Sequence, residues 1–521
     1  MSAVVVTTAA QAAARDRAAI TAGTPSFTLM QAAARAAVAR LEAHGVLTLG
    51  PVAVWVGPGN NGGDGWLVAA LLRARGLDVR VGAVGEPRTE DARRARTLAT
   101  GGGVFVAPSG EERLHVDALL GTGQRVPLPD DIARATARVR AARERGARVV
   151  ALDVPTGVAD GADGAPVARD PQAIVADLTI CFGTLKRALL AAREQAGTID
   201  VVDIGLGAHA EQPDDAPLLM DPQRAWRGVP PIGARAHKGT RGRLAIIGGT
   251  AGMVGAVILA ARAALASGIG LVRCVVDRAH VGDVHAALPE ALVSPWPRDG
   301  TTLAAHITEL ADALVVGPGL GPGEQARALV ESVLATERPV LVDAEALRHL
   351  PTLAHAAANR AHASVTVLTP HPGEALPLLD DAGAARWPTA AAIDAARDAV
   401  ADHLSARWHA TVLLKGVPTI VASTAGRVAV ARGTAALATG GSGDVLSGIG
   451  GTLLAQAVAP LEAAAIAAWV HGVAAEQATA RRGGVRGTTL ADVLAALSDA
   501  WPRHAEALPP ELLATLPAVP A

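Results

Sequence analysis

The 521-residue chain has very few aromatic residues: no tyrosine, three phenylalanines and eight tryptophans. RNA-binding proteins commonly combine aromatic side chains with a basic surface, and this sequence has no such pattern. The net charge is also small, −2 at pH 7, so no overall field attracts nucleic acid or an acidic membrane surface. These absences favour small molecules as partners over nucleic acid or a membrane.

Cysteine is equally scarce. Cys181 and Cys274 each stand inside an apolar run, "LTICFG" and "GLVRCVVD". This setting predicts buried structural thiols, and it disfavours a disulfide or a reactive nucleophile. Such thiols suit a reducing cytosol, so we expect a cytoplasmic protein.

The first residues of the sequence do not predict a secretory leader. Its first twenty residues have no basic region ahead of a long apolar core, and Arg15, Asp16 and Arg17 interrupt the apolar residues. The uncharged stretch 244–261 has about the length of a membrane span. Its four glycines and strand-like beginning instead predict a buried strand, a loop and a helix of small residues.

A chain of this length exceeds one ordinary hydrophobic core. Short β-branched runs alternate with alanine- and leucine-rich segments of helical length, and this happens twice along the chain. The pattern is typical of βαβ units in parallel sheets. A segment rich in proline and charge lies between the two series, so we predict an α/β protein with domains 1–210 and 233–521 and a linker at 211–232.

Ligands of parallel sheets bind beyond the carboxyl ends of the strands. In the first half, "GPGNNGGDG" (57–65) follows a strand and precedes a helical segment, so its amides could hold a phosphate. The alternative is a glycine-rich turn in which Asp64 caps the helix. Oxygen ligands from Asn61, Asp117 and Thr156, which follow three such strands, would suit a hard cation.

Lys186 stands just beyond the apolar run "TICFG" (179–183) and could place an ammonium near Asp153. A carboxylate and a cation could move protons and stabilise transient charge on a substrate. The alternative is a solvated lysine paired with an acid.

Four segments, "NNGGDG", "DALLGTG", "DVPTG" and "FGTLKRALL", stand in the order found in the epimerase domain of NAD(P)H-hydrate repair enzymes, which residues 1–207 resemble. The resemblance implies a Rossmann-like three-layer αβα domain with Asp153 and Lys186 as catalytic residues. It also implies a potassium ion held by Asn61, Asp117 and Thr156, where the last position is usually serine. The implied substrate-binding residues are Asn60, Asn61, Gly62, Gly63, Asp64, Gly121, Thr122, Gly123, Gln124, Arg125, Val126, Pro127 and Asp153.

In the second half, "TGGSGD" (439–444) sets a carboxylate at the mouth of an anion-binding loop, ahead of an apolar run that looks like the start of a helix. At about 4 Å and an effective dielectric constant of about 20, this carboxylate and a bound anion would repel each other by roughly 4 kcal/mol. The position of the aspartate therefore indicates a use. The loop resembles that of ribokinase-like small-molecule kinases, in which the aspartate deprotonates an acceptor hydroxyl. We expect the neighbouring phosphate to raise the pKa of Asp444 towards ambient pH. The alternative is a helix-capping aspartate after a flexible turn.

Residues 237–497 resemble specifically the NAD(P)H-hydrate dehydratase, on segments that include "ALVVGPGLG", "VLVDAEAL" and "TPHPGE". The resemblance implies a ribokinase-like αβα domain that uses ADP or ATP, with Asp444 as catalytic base and Mg²⁺ bridging the phosphates. The implied substrate-binding residues are Ala256, Gly319, His371 and Asp444, and the implied nucleotide-binding residues are Lys415, Gly416, Val417, Pro418, Thr419, Gly440, Gly441, Ser442 and Gly443. A histidine satisfied by its own local backbone is the alternative for His371.

The combined hypothesis is a homo-oligomeric metabolite-repair enzyme. Its first domain would interconvert the R and S epimers of hydrated NADH or NADPH, and its second would dehydrate the S epimer with ADP, giving AMP and phosphate. One alternative is a vitamin or sugar kinase, and another makes the first half a non-catalytic nucleotide- or RNA-binding module.

Overall fold

The computed structural model describes residues 3–103, 105–161, 167–211, 216–297, 311–353, 365–502 and 508–520. Contacts divide the chain into two compact units. The first comprises residues 1–219 and 507–519, and the second comprises 220–506 with 520–521. Each unit has its own parallel sheet, so the predicted α/β class with two domains is confirmed.

The strands of the first unit are β1 (Val6–Thr7), β2 (Val52–Val56), β3 (Val79–Ala83), β4 (Leu114–Ala118), β5 (Arg148–Leu152), β6 (Val158–Ala159), β7 (Ala168–Arg169), β8 (Leu178–Phe182), β9 (Leu185–Lys186), β10 (Thr198–Val202) and β11 (Leu218–Leu219). Its helices are α1 (Ala9–Thr21), α2 (Ser26–Ala43), α3 (Asn60–Ala74), α4 (Glu90–Thr100), α5 (Asp130–Glu144), α6 (Arg187–Ala191) and α7 (Arg193–Ala196).

The strands of the second unit are β12 (Arg243–Ile247), β13 (Leu271–Val276), β14 (Leu292–Pro295), β15 (Ala313–Val316), β16 (Val340–Val342), β17 (Thr366–Leu368), β18 (Thr411–Leu414), β19 (Thr419–Ser423) and β20 (Gly426–Val430). Its helices are α8 (Pro222–Gly228), α9 (Val254–Ala266), α10 (Val281–Ala287), α11 (Glu324–Leu334), α12 (Glu345–His349), α13 (Pro372–Ala375), α14 (Asp381–Arg386), α15 (Ala390–Ala395), α16 (Arg397–Trp408), α17 (Ser442–Ala455), α18 (Pro460–Arg482) and α19 (Leu490–Ala500). A last strand, β21 (Leu512–Leu516), belongs to the first unit.

The sheet of the first unit has the strand order β21-β10-β8-β5-β4-β2-β3 and is parallel except for β21. Alternate residues of β2 enter different clusters of buried side chains, with Val54 in one and Trp55 in the other. The sheet is therefore covered on both faces, which is why its central strands read as continuous apolar runs.

The sheet of the second unit follows the order β20-β19-β18-β17-β16-β15-β12-β13-β14. Strands β12 to β18 are parallel, and β19 and β20 are joined antiparallel at one side. Helix α17 packs closely against its neighbours: a Cβ built on Gly448 would lie 2.0 Å from the carbonyl oxygen of Ala260 in α9. Only glycine allows this approach.

Two predictions about apolar segments are confirmed. The stretch 244–261 forms most of β12, a loop and the first part of α9, and no helix among the described residues is long and apolar enough to cross a membrane. Cys181 and Cys274 are free and buried, and burial raises the pKa of their thiols to about 11 and about 12. Both thiols are therefore protonated and unreactive at neutral pH.

The division into units differs from the boundaries drawn on the sequence. The linker predicted at 211–232 is divided at Leu219, and the end of the range 233–521 returns to the first unit as β21. Strand β21 pairs antiparallel with β10, and the Thr515 hydroxyl donates to Asp200 Oδ1 at 2.8 Å. Without β21, the backbone groups along this edge of β10 would be unpaired.

We expect Leu512→Ala to lower the free energy of unfolding of the first unit by about 2–5 kcal/mol, because Leu512 is buried in its core. Leu513→Ala is the matched control on the other face of the strand, where the side chain is only half-buried. Hydrogen exchange of the β10 amides would measure the difference. Equal protection of β10 in both variants would contradict a supporting role for β21.

Candidate active sites

Four neighbouring strands of the first unit, β2, β4, β5 and β8, end at the same edge of the sheet. The loops after these strands carry most of the residues predicted for its site. A Cβ built on Gly121 would lie 3.2 Å from Asn61 Cβ and 3.5 Å from Asp153 Oδ2. The structure thus brings together three residues that are far apart in the sequence.

Helix α3 begins earlier than its sequence suggested. It starts at Asn60, so the glycine-rich segment is its first turn and does not form a loop before it. The N-cap is Gly59, with no side-chain cap, so the alternative in which Asp64 caps the helix is wrong. The sequence misled because glycine has low helix propensity; here Gly62 is required, since a Cβ would lie 1.9 Å from the Gly57 oxygen.

The three residues predicted to bind a cation form a connected network. Thr156 Oγ1 donates to Asp117 Oδ1 at 2.8 Å, and the Thr156 amide donates to Asp117 Oδ2 at the same distance. Leu120 links Thr156 to Asn61, because its amide donates to Thr156 Oγ1 and its carbonyl accepts from Asn61 Nδ2. Asn61 Oδ1 is buried without a hydrogen-bond partner. Burial raises the pKa of Asp117 to about 6.

Asp153 and Lys186 form a buried ion pair. Lys186 Nζ lies 2.6 Å from Asp153 Oδ1, and both side chains are almost completely buried. The alternative of a solvated lysine is therefore wrong. Burial opposes the charged ammonium, but the Asp153 carboxylate outweighs this effect, so the pKa of Lys186 is raised. Asp153 has φ +65°, a left-handed conformation that costs energy for a residue with a side chain.

Asp16 is a neighbour of this pair that the sequence-based reasoning did not assign to the site. Strand β1 pairs with β9, with Thr7 opposite Lys186, and this pairing carries α1 to the site. The pKa of Asp16 is raised by burial and by the Asp153 charge, while Lys186 lowers it. The charged residues 15–17, which interrupt the apolar residues of α1, were the one sign in the sequence that Asp16 could belong to the site. Nothing in the sequence indicates that β1 pairs with β9.

The remaining predicted residues of the first unit differ in exposure. Gln124 is buried and joins two loops, since its Nε2 donates to the Pro155 carbonyl and its Oε1 accepts from the Gly157 amide. Asn60 is exposed and accepts from the Thr89 hydroxyl. The other predicted loop residues line the mouth of the site and are exposed or half-buried, namely Thr122, Gly123, Arg125, Val126 and Pro127.

In the second unit, five neighbouring strands, β12, β15, β16, β17 and β18, end at one edge of the sheet. At their centre lies Asp343, which follows β16 and is 1% exposed. Its carboxylate accepts from Thr369 Oγ1 at 2.8 Å, Ser447 Oγ at 2.8 Å and Lys415 Nζ at 3.0 Å. Burial alone would raise the pKa of Asp343, but Lys415 and the two hydroxyls hold it below its usual value.

Asp343 was missing from the residues proposed on the sequence, although its segment was quoted for the resemblance. A lone aspartate after a short apolar run gives no sign of its three donors, two of which directly follow β17 and β18 while the third lies in α17. The neighbouring Ala344 has φ +51°, and a Cβ on Gly317 would lie 1.8 Å from the Asp343 carbonyl oxygen. The backbone here is held in a strained and crowded conformation.

Asp444 lies in the first turn of α17, which starts at Ser442 and not after the aspartate as the sequence suggested. Its N-cap is Gly441, with φ +92°, and a Cβ there would lie 2.7 Å from Leu259 Cδ1. Burial, followed by the Asp343 charge, raises the pKa of Asp444 to about 7. The sequence-based interpretation attributed the shift to a bound phosphate, but the protein itself produces it.

His371 caps the short helix α13. Its Nδ1 accepts from the amides of Gly373 and Glu374, and Glu374 Oε2 accepts from the His371 amide. The alternative of local satisfaction thus holds for Nδ1, and Nε2 also lies 3.5 Å from Glu374 Oε1, so a substrate would share this ring atom with Glu374. The side chain is 55% exposed.

The segment Lys415–Thr419 is the turn between β18 and β19. The Lys415 ammonium is turned inwards, 3.0 Å from Asp343 and 3.3 Å from Glu374, beneath Gly443. Gly416 is covered by Arg397, whose Nη1 donates to the Lys415 carbonyl. The outer surface of the turn is apolar, since Val417 is 68% exposed.

Ala256 and Gly319 come together at the other side of this site. A Cβ on Gly319 would lie 2.2 Å from the carbonyl oxygen of Met253, just before the helix that holds Ala256. The Thr250 amide also donates to the Gly319 carbonyl at 2.7 Å. Gly440, in the loop before α17, is exposed with open space around it.

Comparison with known proteins gives a match for each half of the chain. Residues 26–188 match the family described as YjeF-related protein N-terminus, and residues 244–498 match the family described as NAD(P)H-hydrate dehydratase. A solved structure of the ADP/ATP-dependent NAD(P)H-hydrate dehydratase from Bacillus subtilis, co-crystallized with ATP/Mg²⁺, is 26% identical and covers 54% of this chain and 95% of its own, with a TM-score of 0.46.

Two curated relatives match across both halves. The bifunctional NAD(P)H-hydrate repair enzyme Nnr of Escherichia coli (strain K12) is 35% identical over 456 residues, or 85% of this chain and 84% of its own. The protein of the same name from Salinibacter ruber (strain DSM 13855 / M31) is 37% identical over 506 residues, covering 87% and 88%. The chain belongs to the family of bifunctional NAD(P)H-hydrate repair enzymes.

Proposed function

We propose that the first unit interconverts the R and S epimers of hydrated NADH and NADPH, and that the second unit dehydrates the S epimer with ADP. The products of the second reaction are the reduced nucleotide, AMP and phosphate. The observation that supports this division most strongly is the presence of two separate sites, each built on its own sheet around a buried carboxylate–lysine pair.

In the second unit, we propose that Asp444 takes the proton of the ring hydroxyl as that oxygen receives a phosphoryl group. A base works best when its pKa lies near ambient pH, as the pKa of Asp444 does. The Ser442 amide donates to the Thr439 carbonyl, but the next amides of α17, those of Gly443 and Asp444, have no intrahelical acceptor and would be available to the transferring phosphate. Loss of phosphate from the ring then regenerates the reduced nicotinamide.

The nucleotide would lie across the turn Lys415–Thr419 and the loop Gly440–Gly443. Exposed Val417 offers an apolar surface for a flat base. The Lys415 ammonium is engaged by Asp343 and Glu374, so it would act on the phosphates through the field of the whole cluster. Mg²⁺ would enter with the phosphates; the nearby carboxylates are already paired with Lys415, and we assign no protein ligand to the metal.

A potassium ion fits the first unit. Asn61 Oδ1 is a buried oxygen without a partner, and Asp117 and Thr156 supply a carboxylate and a hydroxyl on the same network. One carboxylate among neutral oxygens suits a monovalent cation, and the described residues contain no cluster of three acidic, histidine or cysteine side chains that could hold a metal ion. When bound, the ion would supply positive charge beside the substrate and offset the cost of burying Asp117.

Asp153 and Lys186 would act on the substrate of the first unit. The left-handed backbone at Asp153 directs one carboxylate oxygen to Lys186 and leaves Oδ2 facing Gly121. This arrangement orients a carboxyl oxygen towards the space where the glycine-rich turn of α3 would hold the hydrated nucleotide. Assembly into a homo-oligomer and action in the cytoplasm stay predictions.

The decisive experiment adds the purified protein and ADP to mixed epimers of hydrated NADH and follows absorbance at the reduced-nicotinamide band. Full recovery is expected. A vitamin or sugar kinase would accumulate a phosphorylated product without recovering reduced nucleotide, and absence of recovery with every nucleotide tried would contradict the proposal.

Asp444→Asn should lower the dehydration rate by about 10²–10⁴-fold, the usual contribution of a positioned base. ADP affinity should change only a few-fold, because the amide keeps the size of the side chain. In the wild type, the dehydration rate should fall as pH drops below about 7, where the Asp444 carboxylate becomes protonated. A variant that keeps more than about a tenth of the wild-type rate would exclude the base role.

The same substitution should raise the thermal midpoint of the second unit at pH 8. The folded protein raises the pKa of Asp444 from 3.8 to about 7, so the ionised side chain destabilises the fold above pH 7 and has no such effect below pH 4. Calorimetry at pH 8 measures the change. A lower midpoint for Asp444→Asn would contradict the electrostatic cause.

Asp153→Asn tests the separation of the two activities. Supplied with the S epimer alone, this variant should repair it at the wild-type rate. Supplied with mixed epimers, it should recover the S fraction quickly and then slow to the spontaneous epimerisation rate, because distant sites act independently. Slow repair of both substrates would indicate misfolding or a single shared site.

A further inference from the structure

The side chain of Asp64 in the first unit is mostly buried, although it does not cap helix α3. It is 9% exposed, and no hydrogen bond reaches its carboxyl within the part of the chain that the structure describes. Its oxygens are not among the fully buried atoms without a partner, so they keep contact with the surface of the site. A carboxyl that is mostly buried and open only at this surface is placed to meet a ligand.

The direction of Asp64 follows from its neighbours in α3. Gly63 faces Met30, and Gly65 faces Ala118 of the sheet. Asp64 therefore shares a helix face with Asn61, three residues earlier, and Asn61 contacts the position of Gly121 beside Asp153 Oδ2. Two carboxyls from different elements thus converge on one space.

We propose that Asp64 is the second catalytic residue of epimerisation, the acid that gives a proton to the departing ring hydroxyl while Asp153 serves the opposite face. This inference rests on the proposed epimerase function and names the residue that completes it. The two carboxyls have unlike surroundings: Asp153 is anchored by Lys186 at 2.6 Å, whereas no cation of the described residues forms an ion pair with Asp64.

In a site with two carboxyl groups, different surroundings make one group the acid and the other the base. Burial, then the charges of Asp153 and Asp16, raise the pKa of Asp64 well above its usual value. The other charges that act on it are Lys186, which lowers the pKa, and Asp91 of α4, which raises it. Burial and these neighbouring charges therefore favour the protonated form of Asp64.

The chemistry is that of a hydroxyl on the carbon next to a ring nitrogen. Asp64 gives its proton to the hydroxyl oxygen, the carbon–oxygen bond breaks with its electrons on oxygen, and water leaves. The nitrogen lone pair forms a carbon–nitrogen double bond, so the carbon becomes planar. Water then adds to the other face, the double-bond electrons return to nitrogen, and Asp153 Oδ2 takes the released proton. The two carboxyls then exchange roles for the reverse conversion.

The full-length protein should be assayed for epimer interconversion in ¹⁸O-water, with NADH hydrate and no ADP. The wild type should incorporate one ¹⁸O for each inversion. Asp64→Asn should lower the interconversion rate by about 10²–10⁴-fold, with KM within a few-fold, and should dehydrate the S epimer at the wild-type rate when ADP is added. That dehydration and an unfolding midpoint no lower than that of the wild type establish that the variant is folded.

Asp91→Asn is the matched control, because it removes a charge that acts on Asp64 without reaching the site. It should keep the neutral-pH rate within a few-fold. The wild-type rate should fall as pH rises through the pKa of Asp64, and in Asp91→Asn this fall should begin at lower pH. The small residual rate of Asp64→Asn should not fall over this pH range.

Three results would overturn the inference: Asp64→Asn interconverting at more than about a tenth of the wild-type rate, an alkaline fall that persists in Asp64→Asn, or inversion without ¹⁸O uptake. Each leaves the epimerase function standing. A wild-type protein that does not interconvert the epimers would instead contradict the proposed function itself.

Discussion

A lysine ammonium buried against a carboxylate at the carboxyl edge of a parallel sheet is the interaction on which both sites depend. Taking an ammonium out of water costs several kcal/mol and is tolerated only when a carboxylate and further hydrogen bonds compensate it. Lys186 has Asp153 and the Phe182 carbonyl, and Lys415 has Asp343 and Glu374. The backbone is strained to provide these partners, at Asp153 itself and at Ala344 beside Asp343.

Each pair also sets the protonation of a third group. In the second unit, Asp343 is kept ionised by Lys415, and its charge, added to burial, raises the pKa of Asp444 to about 7. In the first unit, burial and then the charge of Asp153 raise the pKa of Asp64. The two units differ in how completely this third carboxyl is buried, since Asp64 is 9% exposed and Asp444 is half-buried.

The two sites are chemically separate, yet the chain is not a simple succession of two domains. The first unit is discontinuous in sequence, because β21 follows the whole second unit and pairs with β10. Asp200 on β10 is fully buried and accepts from Arg40, His44 and Thr515. The end of the chain thus completes both the sheet edge and the hydrogen bonding of a buried charge.

The sequence by itself determined the α/β class, the presence of two domains, the burial of both cysteines and the family. It also placed Asp153, Lys186, Asn61, Asp117, Thr156 and Asp444 at strand ends or helix starts, because short β-branched apolar runs and glycine-rich turns are local patterns. The beginnings of α3 and α17 were misplaced, since glycine propensity argues against a helix that tertiary packing enforces. Only the tertiary structure revealed Asp16, Asp343 and the unpartnered carboxyl of Asp64, and it alone returned β21 to the first unit. Each of these depends on contacts between segments far apart in the chain, and a pKa follows from the charges and burial that such contacts create.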